Sequence, residues 1–511
     1  MSETVNNIHP ASLLRNSSYR MTGFVLSLLF MLLLTPYFVK VLGPEKYGLW
    51  AISISMLGFA GMLDWGIGTA VTKYISQYLS LGDSQRLAEC VLASTVIYFF
   101  LGIFGTVFLW AFTPQIISWF KMSPGLVSVG IEVLHITALG ILPMFLRNCF
   151  LAVPMGFQKY GFSTAISLTK EVAGMGGMAL ILLMGGQLTG VVSWMVFVSA
   201  GTAFFAAIMA LFLIKSVNAF RFSFKKDAFT EILKFAVFAG TSGVGSRVFN
   251  MIDRILVGIL LNTSMVTYYV VPVSMANKLR GFIANISHVF MPRISSLQAK
   301  SDYEKIRSLF SKSHKLTAYM VFGSTSLLFI ISKPLLSFWV GPDFVEHSLG
   351  VLRILLVAYA FISLAAPSFY FANGLGMPWI NAFCSLFGGA LSIGFMCFAG
   401  KQGLSLFAWA NCGFALVLLI PIVTMKKIGL GILDKSKDIF LKPIGACTVL
   451  ITGFLFFEER TGPWLWGALA VIVYGLMLSY EYYPFIKRLL TMIRGKYIKD
   501  LPGLQGQTEK P

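Results

Sequence analysis

Charged residues are scarce in this chain of 511 residues, in which Asp, Glu, Lys and Arg together make up only 12%. A soluble domain carries about 25%, and the surface of a soluble protein of this size could not be covered with so few charges. Apolar residues make up 57% of the chain, and many of their runs reach the roughly 18 residues typical of transmembrane helices. Composition therefore excludes an ordinary soluble enzyme and a disordered chain, and it predicts an all-α polytopic membrane protein.

Catalytic and metal-binding motifs are missing as well. The sequence contains no GxxxxGK[ST], GxSxG or HExxH pattern, so we expect neither ATP hydrolysis nor hydrolase or zinc-protease chemistry. The cysteines show no CxxC or Cys/His spacing, and a free cysteine packs as a small hydrophobe, so we expect no catalytic residue, no metal and no resident cofactor. The cysteines fall in or at the ends of apolar runs: Cys90, Cys149, Cys384, Cys397, Cys412 and Cys447.

Fourteen apolar runs are predicted to cross a membrane. The first run continues through Thr35, Pro36 and Tyr37 into Lys40 without a small-residue cleavage site. We therefore expect it to remain as the first helix rather than to be a signal peptide. The predicted spans are 21–40, 48–70, 88–112, 131–154, 163–184, 188–214, 232–260, 266–291, 317–340, 349–372, 378–399, 403–425, 440–457 and 463–481.

The net charge of +19 follows the predicted topology. Lys and Arg are concentrated in both terminal segments and in most of the alternate loops on the same predicted side, whereas the other loops hold few. The positive-inside rule then places both termini in the cytoplasm. Because the basic residues are spread over many short loops, we expect no nucleic-acid partner.

Segments that recur along the chain indicate two related halves. The fourth span ends in Pro154–Tyr160, and 218 residues later the tenth span ends in Ala372–Met377. Six spans per repeat give halves of parallel topology, related by an axis along the membrane normal. We predict an N-lobe (1–214), a cytoplasmic inter-lobe linker (215–231), a C-lobe (232–425), two additional helices (426–481) and a basic cytoplasmic tail (482–511).

The eighth span carries a polar stripe. At about 100° per residue, five of its residues fall within a sector of about 80°, and Arg280 lies about 120° away from that sector. A charge near the membrane centre costs roughly 2.5–3.5 kcal/mol, so such residues face protein or water and mark function. The stripe consists of Ser274, Lys278, Gly281, Asn285 and His288.

The fifth and seventh predicted spans also carry charged side chains, and the seventh adds the amide of Asn250. Arg247, Asn250 and Arg254 share one face of the seventh span, and Lys170 lies next to Glu171 in the fifth. Positive charge is in excess, and a cavity lined by cations attracts anions, phosphate above all. The predicted substrate-binding residues are Arg247, Lys278, Arg254, Arg280, Asn250, Asn285, Lys170 and Arg147, and the candidates for coupling to a proton or sodium ion are Asp64, Glu171 and Asp253.

A structural interpretation of some charges remains open. Asp253 with Arg254, and Lys170 with Glu171, can equally be ion pairs that hold helices together. Arg147 lies toward the cytoplasmic end of its span, where the side chain of an arginine can extend to the interface instead of lining a cavity.

Several segments resemble the polysaccharide flippase branch of the multidrug/oligosaccharidyl-lipid/polysaccharide exporter superfamily. The most specific are LGPEKYG at 42–48 and LDWGIG at 63–68, and looser similarity is found in GFQKY at 156–160, FMPRISSL at 290–297 and FWVGPDF at 338–344. Residues 21–39 hold no charge. Lipid II flippases carry an Arg-Asp pair in this helix and many drug exporters an Asp, so the difference favours the O-antigen or exopolysaccharide branch.

This resemblance implies two six-helix lobes, two extra C-terminal helices and a central cationic cavity. It also implies transfer of undecaprenyl-diphosphate-linked oligosaccharides across a bacterial inner membrane, with membrane lipids, a polysaccharide polymerase and a chain-length regulator as partners. The alternatives are a multidrug/cation antiporter of the same fold, a membrane-embedded sugar or acyl transferase using His135 or His347, and a scaffold that transports nothing.

Overall fold

The structure, a computed structural model, describes residues 10–64, 66–217, 225–288, 290–457 and 462–499. Every regular element in these ranges is a helix, and no strand occurs among them, so the predicted all-α fold class is confirmed. The helices are α1 (Pro10–Ala60), α2 (Ile67–Leu81), α3 (Ser84–Trp119), α4 (Pro124–Leu139), α5 (Ile141–Gly156), α6 (Tyr160–Leu183), α7 (Leu188–Ser216), α8 (Lys226–Leu260), α9 (Thr263–His288), α10 (Phe290–Ala299), α11 (Tyr303–Ile330), α12 (Ser332–Trp339), α13 (Pro342–Leu364), α14 (Ala366–Gly374), α15 (Pro378–Ala399), α16 (Leu404–Trp409), α17 (Leu419–Lys427), α18 (Ile432–Phe457) and α19 (Pro463–Lys499), with 3-10 turns at Gly61–Asp64, Gly400–Gln402 and Ala410–Leu418.

The first helix is two helices joined at a sharp break. Gly43 has φ 74° and ψ 164°, a conformation that glycine adopts without the steric cost other residues bear. The chain folds back here, because the rings of Phe38 and Trp50 lie 6.3 Å apart, whereas twelve residues of straight helix would separate them by about 18 Å. α1 therefore holds the first predicted span and most of the second.

Ten helical segments of the described ranges are long and apolar enough to cross a membrane, or eleven if the bent pair α11 and α12 counts as one span. The segment Val25–Asp64 is one of them although it contains the break at Gly43. α8 and α9, which carry several of the intramembrane charges, are not in this set. A polytopic membrane protein is confirmed, and the number of fourteen spans stays a prediction.

The two halves of the chain contain the same kind of helix cap at equivalent positions. The carboxylate of Asp83 accepts the backbone N–H of Arg86 at 2.9 Å and caps α3. The carboxylate of Asp302, 219 residues later, accepts the N–H of Lys305 at 3.1 Å and caps α11. Such caps satisfy a backbone donor that the first turn leaves free.

Close helix contacts recur at nearly the same offset, 218 residues. A side chain on Gly156 would collide with Ile75 of α2 at 2.6 Å, and a side chain on Gly374 would collide with Ile294 of α10 at 2.9 Å. We call α1–α7 the N-half and α8–α17 the C-half, following the predicted division into two lobes. The exact domain boundaries stay a prediction.

The turns between helices gather at two ends. The turns at Gly43, Lys121 and Leu261 form what we call the Lys121 end, where the N–H of Lys121 donates to the carbonyl of Gly258 at 3.3 Å. The turns at Gly82, 157–159, 300–302 and 375–377 form the Gly82 end. The charge distribution predicts that the Gly82 end faces the cytoplasm.

The two additional helices α18 and α19 pack against α11. Tyr474 of α19 lies on Gly323, where a side chain would meet its ring at 3.0 Å, and its hydroxyl donates to the carbonyl of Pro443 at 2.8 Å. At the Gly82 end Lys315 contacts Glu481 at 2.5 Å and Asp438 at 3.8 Å. One cation of α11 thereby joins both C-terminal helices to the C-half.

Candidate functional site between the two halves

Lys278 lies where α9 of the C-half meets α1 of the N-half. Its side chain is half-buried, and its ammonium donates a hydrogen bond to the hydroxyl of Ser27. The carboxylate of Glu171 on α6 also interacts with it electrostatically. The structure therefore brings this predicted binding residue to the interface between the halves.

Arg147 and Lys170 are two neighbouring cations of the N-half. Their charges interact, and Glu171 is the carboxylate that acts on Lys170. The ion pairs found in the described ranges include none of these three residues. The guanidinium of Arg147 donates to Asn148 at 3.2 Å, and its Nε is buried without a partner. The cluster thus carries more positive than negative charge.

A small cleft, with a cavity volume of about 40 Å³, opens beside Lys170. It lies among α1, α4, α5, α6 and α7, at the point where Gly140 separates α4 from α5. The wall is mostly apolar, with the hydroxyl residues Ser53, Thr137 and Ser199 and the single ammonium of Lys170. Cations beside an apolar cleft fit an anion that carries an apolar group.

Asp253 occupies a second polar cluster inside the C-half. It is 1% exposed, and its carboxylate accepts the hydroxyl of Tyr269 at 3.2 Å and the backbone N–H of Arg254 at 2.8 Å. The amide of Asn411 in turn donates to Tyr269 at 3.0 Å. The Nε atom of the Arg254 guanidinium is buried without a hydrogen-bond partner. These hydrogen bonds hold the carboxylate of Asp253 inside the C-half.

Arg280 faces α13 of the C-half. Its guanidinium lies 5.9 Å from the centre of the Tyr359 ring on α13, at the outer limit of a cation–π contact. The amide of Asn277 donates to the hydroxyl of the same tyrosine at 3.5 Å. Arg254 and Arg280 both act electrostatically on Tyr359. These two arginines belong to one cluster with Asp253.

Asp64 lies apart from both clusters, at the 3-10 turn between α1 and α2. Its carboxylate accepts the hydroxyl of Tyr98 at 2.5 Å and the N–H of Gly68 at 3.1 Å. It caps the start of α2 across the bend, and this contact gives it a structural role in the present conformation.

The remaining predicted residues are placed as follows. Arg247 and Asn250 lie on α8, but their side chains are outside the described residues. Asn285, near the C-terminal end of the polar stripe on α9, is exposed. His135 stacks on Trp110 at 4.8 Å and His347 on Tyr268 at 4.6 Å.

Sequence reasoning missed the residues that hold these charges in place. Ser27, Tyr98, Tyr269 and Asn411 are uncharged and distant in sequence from their partners. The signal that could have found Tyr269 is its position in α9, about two turns before the first charge of the polar stripe. Nothing in the sequence singles out Ser27, one of several hydroxyl residues in the first span.

The sequence and the fold are similar to those of known proteins. The model of the MatE family matches residues 21–176. A Shigella flexneri protein named "Putative O-antigen transporter" is 23% identical over 375 residues, which cover 73% of this chain and 87% of that protein.

Two solved structures show the same fold. An inward-facing multidrug resistance MATE family transporter of the MOP superfamily superposes with a TM-score of 0.67 at 13% identity, over 81% of this chain and 98% of that one. The lipid II flippase MurJ, in an inward closed conformation, gives 0.65 at 14% identity over 91% and 99%. These matches confirm the resemblance to the multidrug/oligosaccharidyl-lipid/polysaccharide exporter superfamily, with the O-antigen transporter as a relative in sequence.

Proposed function

We propose that this protein is a flippase that moves undecaprenyl-diphosphate-linked oligosaccharide repeat units, of the O-antigen or exopolysaccharide kind, from the cytoplasmic to the periplasmic leaflet. The observation that carries the proposal is the excess of positive charge around Glu171, which acts both on Lys170, beside Arg147 in the N-half, and on Lys278, where α9 contacts α1. The family match and the Shigella relative support the same function.

The chemistry of the group favours a diphosphate. Two like charges in a partly buried site repel each other, and an anion between them removes that cost and gains charge-assisted hydrogen bonds. A guanidinium binds phosphate oxygens in a fixed fork, and an ammonium acts as a point charge. The cleft beside Lys170 provides apolar surface next to this charge. The cluster therefore fits a lipid-linked diphosphate better than a cationic drug.

Transport would proceed by alternating access, coupled to a proton or a sodium ion. Asp64, Glu171 and Asp253 are the proposed coupling residues. Of these, Glu171 is the carboxylate next to the cations, so it is the one whose charge the substrate would sense most directly. We place the protein in a bacterial inner membrane with both termini in the cytoplasm, beside membrane lipids, a polysaccharide polymerase and a chain-length regulator.

Flipping of a fluorescent undecaprenyl-diphosphate sugar in reconstituted vesicles tests this function. We expect Lys170→Ala and Lys278→Ala each to lower the rate at least about tenfold, because a hydrogen bond to a charged group contributes roughly 1.5–3 kcal/mol. Arg247→Ala tests the same expectation for a side chain outside the described residues. The matched control is Lys437→Ala, an exposed lysine of α18. Unchanged rates in all three cavity variants would contradict the proposal.

The rival functions predict different results in the same material. A multidrug antiporter of this fold, as in the structural neighbours, would confer drug resistance on expression and would need an acidic rather than a basic cavity. A transferase would depend on His135 or His347, whereas under the flippase proposal His135→Ala and His347→Ala should leave flipping unchanged. A scaffold would tolerate every cavity substitution without loss of export.

A further inference from the structure

The two halves touch at the Gly82 end through side chains. The hydroxyl of Tyr78 on α2 donates to the carboxylate of Glu231 on α8 at 2.8 Å. The ammonium of Lys225, just before α8, lies 3.0 Å from the carboxylate of Glu89 on α3. Glu89 is only 4% exposed, and Gln85 donates to the same carboxylate at 3.1 Å. The hydroxyl of Tyr74 also donates to the backbone carbonyl of Glu231 at 3.5 Å, so three polar contacts join α2 and α3 to the beginning of α8.

An aromatic contact accompanies these polar ones. The ammonium of Lys73 on α2 lies 4.2 Å from the centre of the Phe235 ring on α8. Tyr74 packs edge-on against the same ring, with centroids 6.0 Å apart. Apart from the carbonyl of Glu231, every group in these contacts is the end of a side chain.

The Lys121 end is joined differently, through the backbone itself. The N–H of Thr263 donates to the carbonyl of Lys121 at 3.2 Å, and the ammonium of Lys121 donates to the carbonyl of Leu260 at 2.7 Å. Gly48 lies so close to Thr263 that a Cβ would be 2.0 Å from its carbonyl oxygen. Separation here leaves backbone groups without partners and opens a tightly packed helix crossing.

We propose that the contacts Tyr78–Glu231 and Glu89–Lys225 form a latch, and that from the present conformation the protein opens at the Gly82 end when this latch is released. Release breaks few side-chain contacts, whereas opening at the other end breaks backbone hydrogen bonds and close packing. Lys225 and Glu231 come directly after the stretch of sequence that joins the halves, so the latch acts where the halves are already tethered. The inference concerns the conformation of the protein alone and holds whichever substrate is carried.

Distances between spin labels test the latch in purified protein without substrate. One pair of labels, at Ser80→Cys and Lys300→Cys, reports on the Gly82 end. A second pair, at Ser118→Cys and Glu346→Cys, reports on the Lys121 end. All four positions are exposed, and the native cysteines are replaced in the background.

The variant that releases the first contact of the latch combines Tyr78→Phe with Glu231→Gln. We expect it to raise the population of long distances at the Gly82 end about tenfold, since hydrogen bonds to charged groups are the stronger ones. If this double variant does not give monodisperse protein, Glu89→Gln weakens the second contact alone and should shift the same distance in the same direction.

The matched control is Asp302→Asn, which removes an ion pair of 2.6 Å at the same end but within the C-half. It should leave both distance distributions as in the parent protein. Unchanged distances at the Gly82 end in both latch variants, or opening at the Lys121 end, would overturn the latch. A lower flipping rate together with longer distances at the Gly82 end supports the latch. The identity of the substrate is tested separately, by the substitutions in the cavity.

Discussion

Substitution of Gly48 by alanine should force the two halves apart at the Lys121 end. The added Cβ would lie 2.0 Å from the carbonyl oxygen of Thr263 and 3.2 Å from the hydroxyl of Thr267. Ordinary contact needs about 3.4 Å, so α1 and α9 must separate locally by roughly 1.4 Å. Overpacking of this size costs about 1–3 kcal/mol, which exceeds the gain of about 1 kcal/mol from replacing glycine within a helix. Gly48→Ala therefore weakens the packing of α1 against α9 that closes the Lys121 end.

The assay is the distance distribution of the label pair at Ser118 and Glu346, measured together with the flipping rate. We expect a longer distance at this end and a slower reset of the carrier, because one closed state is destabilised. Gly125→Ala is the control, since Gly125 lies near the same end and an added Cβ would meet nothing within 4 Å. If Gly48→Ala leaves both the distance and the melting temperature unchanged, the close helix crossing does not hold this end together.

Three further substitutions probe the polar clusters. Tyr269→Phe should lower the free energy of unfolding by about 1–3 kcal/mol, measured by thermal unfolding, because it removes one hydrogen bond from the buried carboxylate of Asp253 and one from the buried amide of Asn411; an unchanged transition would mean that water replaces the hydroxyl. Tyr98→Phe should increase hydrogen exchange at the start of α2, since it removes the contact of 2.5 Å to Asp64; equal exchange rates would argue against a structural role for that carboxylate. Lys315→Met should expose α18 and α19 to proteolysis while the rest of the protein stays folded, and equal digestion of both proteins would show that apolar packing alone holds these helices.

The sequence was sufficient for the fold class. Hydropathy identified the helices because apolar length is what a membrane demands. Asp83 and Asp302 lie before helices in equivalent places and both act as caps, and Gly156 and Gly374 both allow a close helix contact. The caps depend only on neighbours in the chain, so a repeated sequence position predicts them.

The partners of the intramembrane charges could not be predicted in the same way. The stripe on α9 shows which residues share a face, but not which helix covers that face. Lys278 is half-buried against Ser27, from the other half of the chain, whereas Asn285 of the same stripe is exposed. The adjacency of Asp253 and Arg254 in the sequence did not reveal the partners of Asp253 either. Its carboxylate accepts hydrogen bonds from the backbone N–H of Arg254 and from the hydroxyl of Tyr269. These choices depend on tertiary contacts that span the whole chain.

Binding of undecaprenyl diphosphate to the purified protein, followed by native mass spectrometry, tests the proposed cationic site most directly. The account predicts that Lys170→Met with Lys278→Met weakens binding at least about tenfold, by the loss of charge-assisted contacts, while the exposed Lys437→Met does not. Undiminished binding by the double variant, with the fold intact, would contradict the claim that these cations hold the diphosphate.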